Sequence, residues 1–328
     1  MKVGRTSLFN YIRQKSILHA THISAFVDTR GVWRLIVLRV VFVFWAAGLP
    51  CVAQSTWQAA VIDAAKNAPD AEIIVIDLMT GHVEASHKLA EAARTLATPG
   101  STLKPIALYG LLEHGQWNPE RRIACSRQLY IAGLELNCSH PEMPAFDARE
   151  ALTWSCNTYF AAVAGSMPPG DLRGLLDRSG LLAATGLAES EAVARFRTPQ
   201  TPNEAKLALL GVDGIEVTPL EMVRAYRWLG LEFAAHPETP ATKIVDVGIQ
   251  DSASFGMAGE VSLGGIAVAG KTGTASAATG KRTHGWFVGL APAQNPKVAL
   301  VVYLPTGHGA NAARVAGEVL KHSSLRTK

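Results

Sequence analysis

The chain has few charged residues and no internal repeat, and both shortages limit what it can be. Charged residues make up 18% of its 328 residues and form no long run of one sign, so the composition does not predict disorder. Glycine and proline are scattered without a period, which argues against repeat architectures. With 48% hydrophobic residues, the chain can build one sizeable core and is too short for several large domains.

A basic surface is also lacking, because the positive charge is concentrated at one end. Residues 1–53 carry seven Lys and Arg against Asp28, a net charge of +6, whereas the whole chain has +4. Residues 54–328 therefore come to −2. The sequence gives no reason to expect nucleic acid as a partner.

Residues 1–53 have the pattern of an export leader. The continuous run Val40–Ala53 has fourteen residues without a charge. Its length suits the apolar region of a signal peptide and is short for a membrane span, which needs about 20 residues. We expect cleavage after Ala53, which would leave a domain over residues 54–328 in the periplasm or on the outer face of the cytoplasmic membrane. An uncleaved anchor that starts near Leu35 and a later translation start are the alternatives.

Cysteine is scarce, with four residues, and the spacing favours a disulfide over a metal site. Cys51 belongs to the leader. Cys125 and Cys138 lie thirteen residues apart in a predicted loop or hairpin, where a bond in an oxidising compartment would contribute up to ~3 kcal/mol. Two separate thiols are the alternative, and Cys156 is expected to be a free buried thiol. No second Cys or His pair has ligand spacing, so we expect no metal.

Hydrophobic periodicity predicts one α+β domain, with strands near both ends and helices between them. The predicted strands are Ala71–Asp77, His82–Ser86, Ser262–Val268, His284–Leu290 and Val298–Leu304. The predicted helices are Gln54–Lys66, Ser101–His114, Ala148–Ala164, Leu172–Leu182, Pro219–Leu229 and Asn311–His322. We therefore expect an antiparallel sheet that carries helices on its faces.

The first motif that carries chemistry is Ser101 with Lys104, at the start of a predicted helix. Residues three apart share a helix face, so the hydroxyl and the amine can come within hydrogen-bond distance. Apolar neighbours would desolvate the lysine, and a neutral amine could take the serine proton and activate the oxygen as a nucleophile. Taken alone, small polar residues at a helix start are more often ordinary caps.

A second motif is Ser155 with Asn157, placed within the helical stretch Ala148–Ala164. Polar side chains in an apolar helix are costly unless they have partners or face a cleft. The Ser155 hydroxyl could relay a proton, and the Asn157 amide could bind a substrate carbonyl and hold Lys104. A satisfied buried polar pair is the alternative.

The third motif is Lys271, Thr272, Gly273 and Thr274, which ends a run of small residues. Gly273 leaves room for a backbone or ligand to approach, and Lys271 with Thr272 suits a carboxylate. The N–H groups of Thr274 and Ser101 could form an oxyanion hole. A phosphate loop is excluded because it needs a helix after the motif, whereas another predicted strand follows. Taken alone, the motif also fits a glycine-rich hairpin.

In this order the three motifs are the signature of class A β-lactamases and penicillin-binding proteins. The sequence resembles the penicillin-binding protein transpeptidase domain, and the resemblance extends over roughly residues 71–320. The flanking segments that carry it are Thr98–Pro105, Ala151–Phe160, Gly214–Tyr226 and Trp286–Pro292. One departure is Cys156, which stands where class A β-lactamases have aspartate.

The resemblance implies the fold of penicillin-binding proteins and serine β-lactamases, an antiparallel sheet flanked by helices plus a helical subdomain. It implies a D-alanyl-D-alanine transpeptidase or carboxypeptidase that acts on peptidoglycan stem peptides and needs no cofactor. Ser101 would be the nucleophile, Lys104 its base, Ser155 the proton relay and Asn157 an anchor for substrate and Lys104. β-Lactam antibiotics would trap Ser101 covalently.

Two other functions stay open. A serine β-lactamase would share the fold but needs a second base for deacylation, and no Glu-x-x-Leu-Asn segment lies between Asn157 and Lys271. A non-catalytic domain that senses β-lactams would need membrane spans to pass the signal on, and the sequence has one short apolar segment.

Overall fold

The computed structural model describes residues 56–276 and 282–326, so the predicted leader, residues 1–53, lies outside the described residues. The strands are β1 (Glu72–Asp77), β2 (Val83–His87), β3 (Tyr130–Ile131), β4 (Leu134–Glu135), β5 (Arg195–Phe196), β6 (Ile215–Glu216), β7 (Ala269–Ser276), β8 (Thr283–Ala291) and β9 (Val298–Leu304). The helices are α1 (Thr56–Asn67), α2 (Leu89–Ala92), α3 (Lys104–Glu113), α4 (Ala148–Thr153), α5 (Asn157–Ala164), α6 (Pro169–Arg178), α7 (Pro202–Leu209), α8 (Pro219–Ala235), α9 (Pro240–Ser254) and α10 (Gly309–Lys321). None of these helices is long and apolar enough to span a bilayer.

Five strands form one antiparallel sheet in the order β2-β1-β9-β8-β7. The sheet joins the two ends of the domain, because β1 pairs with β9 from Glu72 opposite Tyr303 to Asp77 opposite Val298. The predicted α+β class with an antiparallel sheet is confirmed.

The alternation of side chains along the central strands produces two cores. On β1, Ile73 and Val75 face the layer that contains α1 and α10, whereas Ile74 and Ile76 face the larger helical part. All four are buried to at least 99%, since both faces of the sheet are covered. The sheet is thus the middle layer between two groups of helices.

Helix α3 is buried on every side from its first residue, Lys104, through Leu112. Gly110 allows this packing, because a Cβ there would come within 2.6 Å of the Leu175 side chain. A helix that is apolar all round belongs in an interior. Its buried amino-terminal end carries the first motif.

The structure corrects two of the predicted elements and contains helices that were not predicted. The stretch Ala148–Ala164 is two helices, α4 and α5, because the chain turns between them. Residues 262–268 are not a strand: a 3₁₀ turn covers Gly259–Gly264, Gly265 adopts a left-handed φ of 70°, and β7 begins at Ala269. Helices α7 and α9 were not predicted, although both begin with a capping threonine followed by proline.

Candidate active site

Ser101 lies in a 3₁₀ turn, Gly100–Leu103, that leads directly into α3. Gly100 has a φ of +54°, a left-handed conformation that glycine adopts without strain. The Thr102 hydroxyl donates to the Pro99 carbonyl oxygen at 2.7 Å and holds the turn closed. Ser101 is half-buried and lines the cavity described below.

Lys104 is fully buried and surrounded by oxygen acceptors. Its Nζ donates to Asn157 Oδ1 at 2.6 Å, to the Ser155 carbonyl oxygen at 2.9 Å and to Ser155 Oγ at 3.3 Å. The ring centroid of Phe160 lies 5.1 Å from Nζ. Burial lowers the pKa of Lys104 to about 8, against the opposing effect of Cys156 and Cys138, so the neutral amine is accessible near neutral pH.

Ser155 lies at the break between α4 and α5, rather than inside one helix as the sequence predicted. Helix α4 ends in a Schellman motif: the Ser155 N–H donates to the Leu152 carbonyl at 3.3 Å, and the Cys156 N–H donates to the Ala151 carbonyl at 3.0 Å. Ser155 takes the left-handed position of that motif, with φ of +57°. The turn aims its hydroxyl at the two lysines of the site.

Lys271 reaches Ser155 from the edge strand β7. Its Nζ donates to Ser155 Oγ at 2.9 Å and to the Thr272 carbonyl at 3.2 Å. Burial, and to a smaller extent the charge of Lys104, holds the pKa of Lys271 well below its usual value. One serine hydroxyl therefore accepts hydrogen bonds from two buried lysines.

Close packing fixes β7 against the serine turn. A Cβ on Gly273 would come within 2.6 Å of the Pro99 carbonyl oxygen, so a side chain at this position would push the strand away. From the neighbouring strand β8, His284 Nε2 lies 2.8 Å and Trp286 Nε1 3.0 Å from the Thr98 carbonyl oxygen. These β8 contacts, which sequence reasoning missed, position the segment before Ser101.

Residues of all three motifs line a cavity of about 1030 Å³. Ser101, Asn157 and Thr274 lie in its wall. The rest of the wall includes apolar side chains from β4 to β6 and their loops: Leu134, Leu136, Phe196, Leu210, Val212 and Ile215. The cavity thus has space for an extended ligand beside Ser101.

Hydrogen bonds to the loop after β4 hold Asn157 in place, and the sequence did not indicate these contacts. Its Nδ2 donates to the Leu136 carbonyl at 3.0 Å, and its backbone N–H donates to Cys138 Sγ at 3.2 Å. With the amide nitrogen fixed in this way, Oδ1 is presented to Lys104.

The expected bond between Cys125 and Cys138 is absent from the structure, where Cys125, Cys138 and Cys156 are separate thiols. The expectation used sequence spacing alone and took Cys156 to be a separate buried thiol. The fold instead brings Cys156 Sγ within 4.0 Å of Cys138 Sγ, and Cys125 and His140 join the same cluster.

The family model of the penicillin binding protein transpeptidase domain matches residues 72–324. The peptidoglycan D,D-transpeptidase MrdA of Acinetobacter baumannii is 26% identical, over 72% of this chain and 44% of that protein. The probable peptidoglycan D,D-transpeptidase PenA of Neisseria flavescens is 26% identical, over 74% of this chain and 66% of that protein. The chain therefore spans less than two thirds of either relative.

Comparison with solved structures shows a similar fold in penicillin-binding proteins. The TP domain of penicillin-binding protein 3 from Burkholderia pseudomallei superposes with a TM-score of 0.74 at 20% identity, over 85% of this chain and 98% of that one. The family match covers more than half of the chain, and the three motifs lie inside it. The chain belongs to the penicillin-binding protein transpeptidase family.

Proposed function

We propose that this protein is a serine acyl transferase that acts on the D-alanyl-D-alanine end of peptidoglycan stem peptides outside the cytoplasmic membrane. Transpeptidation is the reaction we favour, with carboxypeptidation as the alternative. The observation that carries the proposal is the convergence of two buried lysines, Lys104 and Lys271, on the Ser155 hydroxyl beside the cavity that Ser101 lines.

Lys104 is suited to be the base because its N–H donors have other acceptors and its lone pair does not. A neutral amine has two N–H donors and one lone pair. The donors match the Ser155 carbonyl and Asn157 Oδ1, the two nearest acceptors, which leaves the lone pair for a hydroxyl proton. Ser101 lies three residues earlier, in the turn that leads into the helix, and this spacing is the one that brings side chains together on a helix face.

In the acylation step, Ser101 Oγ attacks the carbonyl carbon of the penultimate D-alanine while its proton passes to Lys104 Nζ. The N–H groups of Ser101 and Thr274 would stabilise the negative oxygen of the tetrahedral intermediate. When the intermediate collapses, the C–N bond breaks and the proton returns through Ser155 Oγ to the nitrogen of the departing D-alanine. An ester at Ser101 remains.

Substrate carboxylate recognition falls to Lys271 and Thr272. A carboxylate beside Lys271 would favour its charged form, and so would offset the desolvation that now lowers its pKa. The Thr272 hydroxyl donates to the Met257 carbonyl at 3.2 Å and can turn to a ligand. Substrate binding would thereby make Lys271 the cation and leave Lys104 as the neutral partner.

Incubation of the purified protein with a stem pentapeptide, with and without a D-amino acid as amine acceptor, tests the proposal. We expect release of D-alanine in both cases if hydrolysis occurs, and a new amide product with the acceptor if transfer occurs. Ser101→Ala is the control and should release none. Equal D-alanine release by the wild type and by Ser101→Ala would contradict the proposal.

A further inference from the structure

Three cysteines and one histidine converge behind the second motif. One ligand atom from each of Cys125, Cys138, His140 and Cys156 lies within 4.8 Å of the other three. Cys138, His140 and Cys156 are each at least 92% buried. The donors come from separate places in the chain: the loop before β3, the loop after β4, and the residue that precedes α5.

The histidine is prepared as a ligand. His140 Nδ1 lies 2.7 Å from the Pro141 carbonyl oxygen, a contact that requires the proton on Nδ1. Nε2 then carries a lone pair, and it is buried with no hydrogen-bond partner among the described residues. The Phe146 ring, 4.5 Å away between centroids, fixes the plane of the imidazole. A metal-bound histidine typically donates its other N–H to a carbonyl in this way.

The sulfur atoms are also arranged as ligands rather than as a disulfide. Cys138 Sγ and Cys156 Sγ are 4.0 Å apart, about twice an S–S bond and close to the ~3.7 Å edge that a tetrahedron with Zn–S bonds of ~2.3 Å requires. Backbone N–H groups point at two of the sulfurs: Asn157 at Cys138, 3.2 Å, and Arg127 at Cys125, 3.3 Å. Such bonds stabilise thiolates.

We propose that Cys125, Cys138, His140 and Cys156 bind one zinc ion in a closed tetrahedral site. Thiolate and imidazole donors favour zinc over calcium or magnesium, which prefer oxygen ligands. Four protein ligands leave no open position, so the ion is structural. Three thiolates around Zn²⁺ carry one net negative charge, and the Arg127 guanidinium, which donates to the His140 carbonyl at 2.8 Å, lies beside it.

The zinc ion would hold the second motif in place. Cys156 stands between Ser155 and Asn157, and Cys138 accepts the Asn157 N–H. The segment that supplies the other ligands has little regular structure beyond the two-residue strands β3 and β4, so a metal would order it. This positioning effect on Lys104 through Asn157 rests on the proposed function, whereas zinc binding itself does not.

The test uses the full chain, expressed with its leader and recovered from the cell envelope. Metal analysis should find about one zinc per chain, and cobalt substitution should give the intense visible spectrum of a tetrahedral thiolate site. Cys125→Ser and His140→Gln should each weaken zinc binding by at least about 100-fold. The matched control is His236→Gln, an exposed histidine outside the cluster, which should bind zinc as the wild type does.

Thiol reactivity gives a second readout that is independent of activity. In the zinc-bound protein the three thiols should resist alkylation until a chelator is added, and then all three should react. Two results would overturn the proposal. One is a protein that is recovered without metal although zinc was supplied during expression, and the other is a disulfide between any two of these cysteines in the recovered protein. Zinc binding without penicillin labelling would support this site and contradict the proposed function, so the two failures are distinguishable.

Discussion

At the scale of single residues, the central feature is a buried lysine with no carboxylate beside it to stabilise its positive charge. Lys104 is fully buried, and the structure surrounds it with neutral oxygens instead of a carboxylate. Burial therefore lowers its pKa to about 8. A base with its pKa near the working pH combines an available lone pair with sufficient basicity.

The acylation rate should follow the titration of Lys104. In the proposed mechanism the neutral amine is the active form, so the rate should rise about tenfold per pH unit below pH 8 and level off above it. Stopped-flow measurement of acylation by a chromogenic β-lactam between pH 6 and pH 9.5 checks this. Lys104→Ala should lower the rate by roughly 10²–10⁴-fold, whereas the exposed Lys243→Ala should not change it. A flat pH profile would contradict the role of base.

At the scale of elements, the turn between α4 and α5 places Ser155, the proposed proton relay, at a position that usually belongs to glycine. Ser155 has a φ of +57° in a Schellman motif, and a side chain costs about 1–2 kcal/mol in this conformation. The hydroxyl that meets both lysines is therefore kept at some expense of stability, as at other functional sites.

Two substitutions separate the hydroxyl from the backbone. Ser155→Gly and Ser155→Ala should both slow acylation, but the glycine variant should have the higher free energy of unfolding, by about 1 kcal/mol. The matched control is Ser252 inside helix α9, where glycine should be the less stable variant by about 1 kcal/mol. Urea unfolding of the four variants measures both differences. The same order at both positions would contradict the account.

The contact between β7 and the serine turn leads to a further prediction. Gly273→Ala should slow acylation by about tenfold or more, because its Cβ would meet the Pro99 carbonyl oxygen at 2.6 Å and displace the strand. Gly174→Ala in helix α6 is the control, since a Cβ there meets nothing within 4 Å and should stabilise the protein by about 0.5–1 kcal/mol. An active Gly273→Ala variant would show that the packing is not required.

At the scale of the whole molecule, hydrophobic periodicity predicted most of the strands and helices that form the sheet and the two helical layers. The predicted strand Val298–Leu304 matches β9 to the residue, and the first motif lies at the start of a helix as expected. The interruption of the helix at Ser155 was missed because nothing in the local sequence marks a serine for a left-handed turn. The cysteine cluster was missed because Cys125, Cys138, His140 and Cys156 do not follow a familiar ligand spacing, and only the tertiary fold brings their side chains together.

The distribution of carboxylates over the whole cavity predicts slow deacylation. Three described carboxylates line the cavity: Glu216 and Asp213 are paired with Arg195 and Arg197 at 3.2 and 2.7 Å, and Glu135 accepts a hydrogen bond from the Asn137 amide. Each carboxylate therefore already has a partner that competes with a water molecule. From a typical turnover of about 10 s⁻¹, loss of base assistance by roughly 10²–10⁴-fold leaves about six turnovers per minute or fewer. Nitrocefin should show a stoichiometric burst and then slow hydrolysis. Steady turnover at about one per second or faster would favour the β-lactamase alternative.

The most direct test of the central claim is mass spectrometry of the protein after reaction with penicillin. We expect one added penicilloyl group per chain, on the tryptic peptide 95–121 that contains Ser101, since Pro105 blocks cleavage after Lys104. Ser101→Ala should carry no adduct, and Ser126→Ala, an exposed serine, should be labelled as the wild type is. An adduct on any other residue, or normal labelling of Ser101→Ala, would contradict the assignment of Ser101 as the nucleophile.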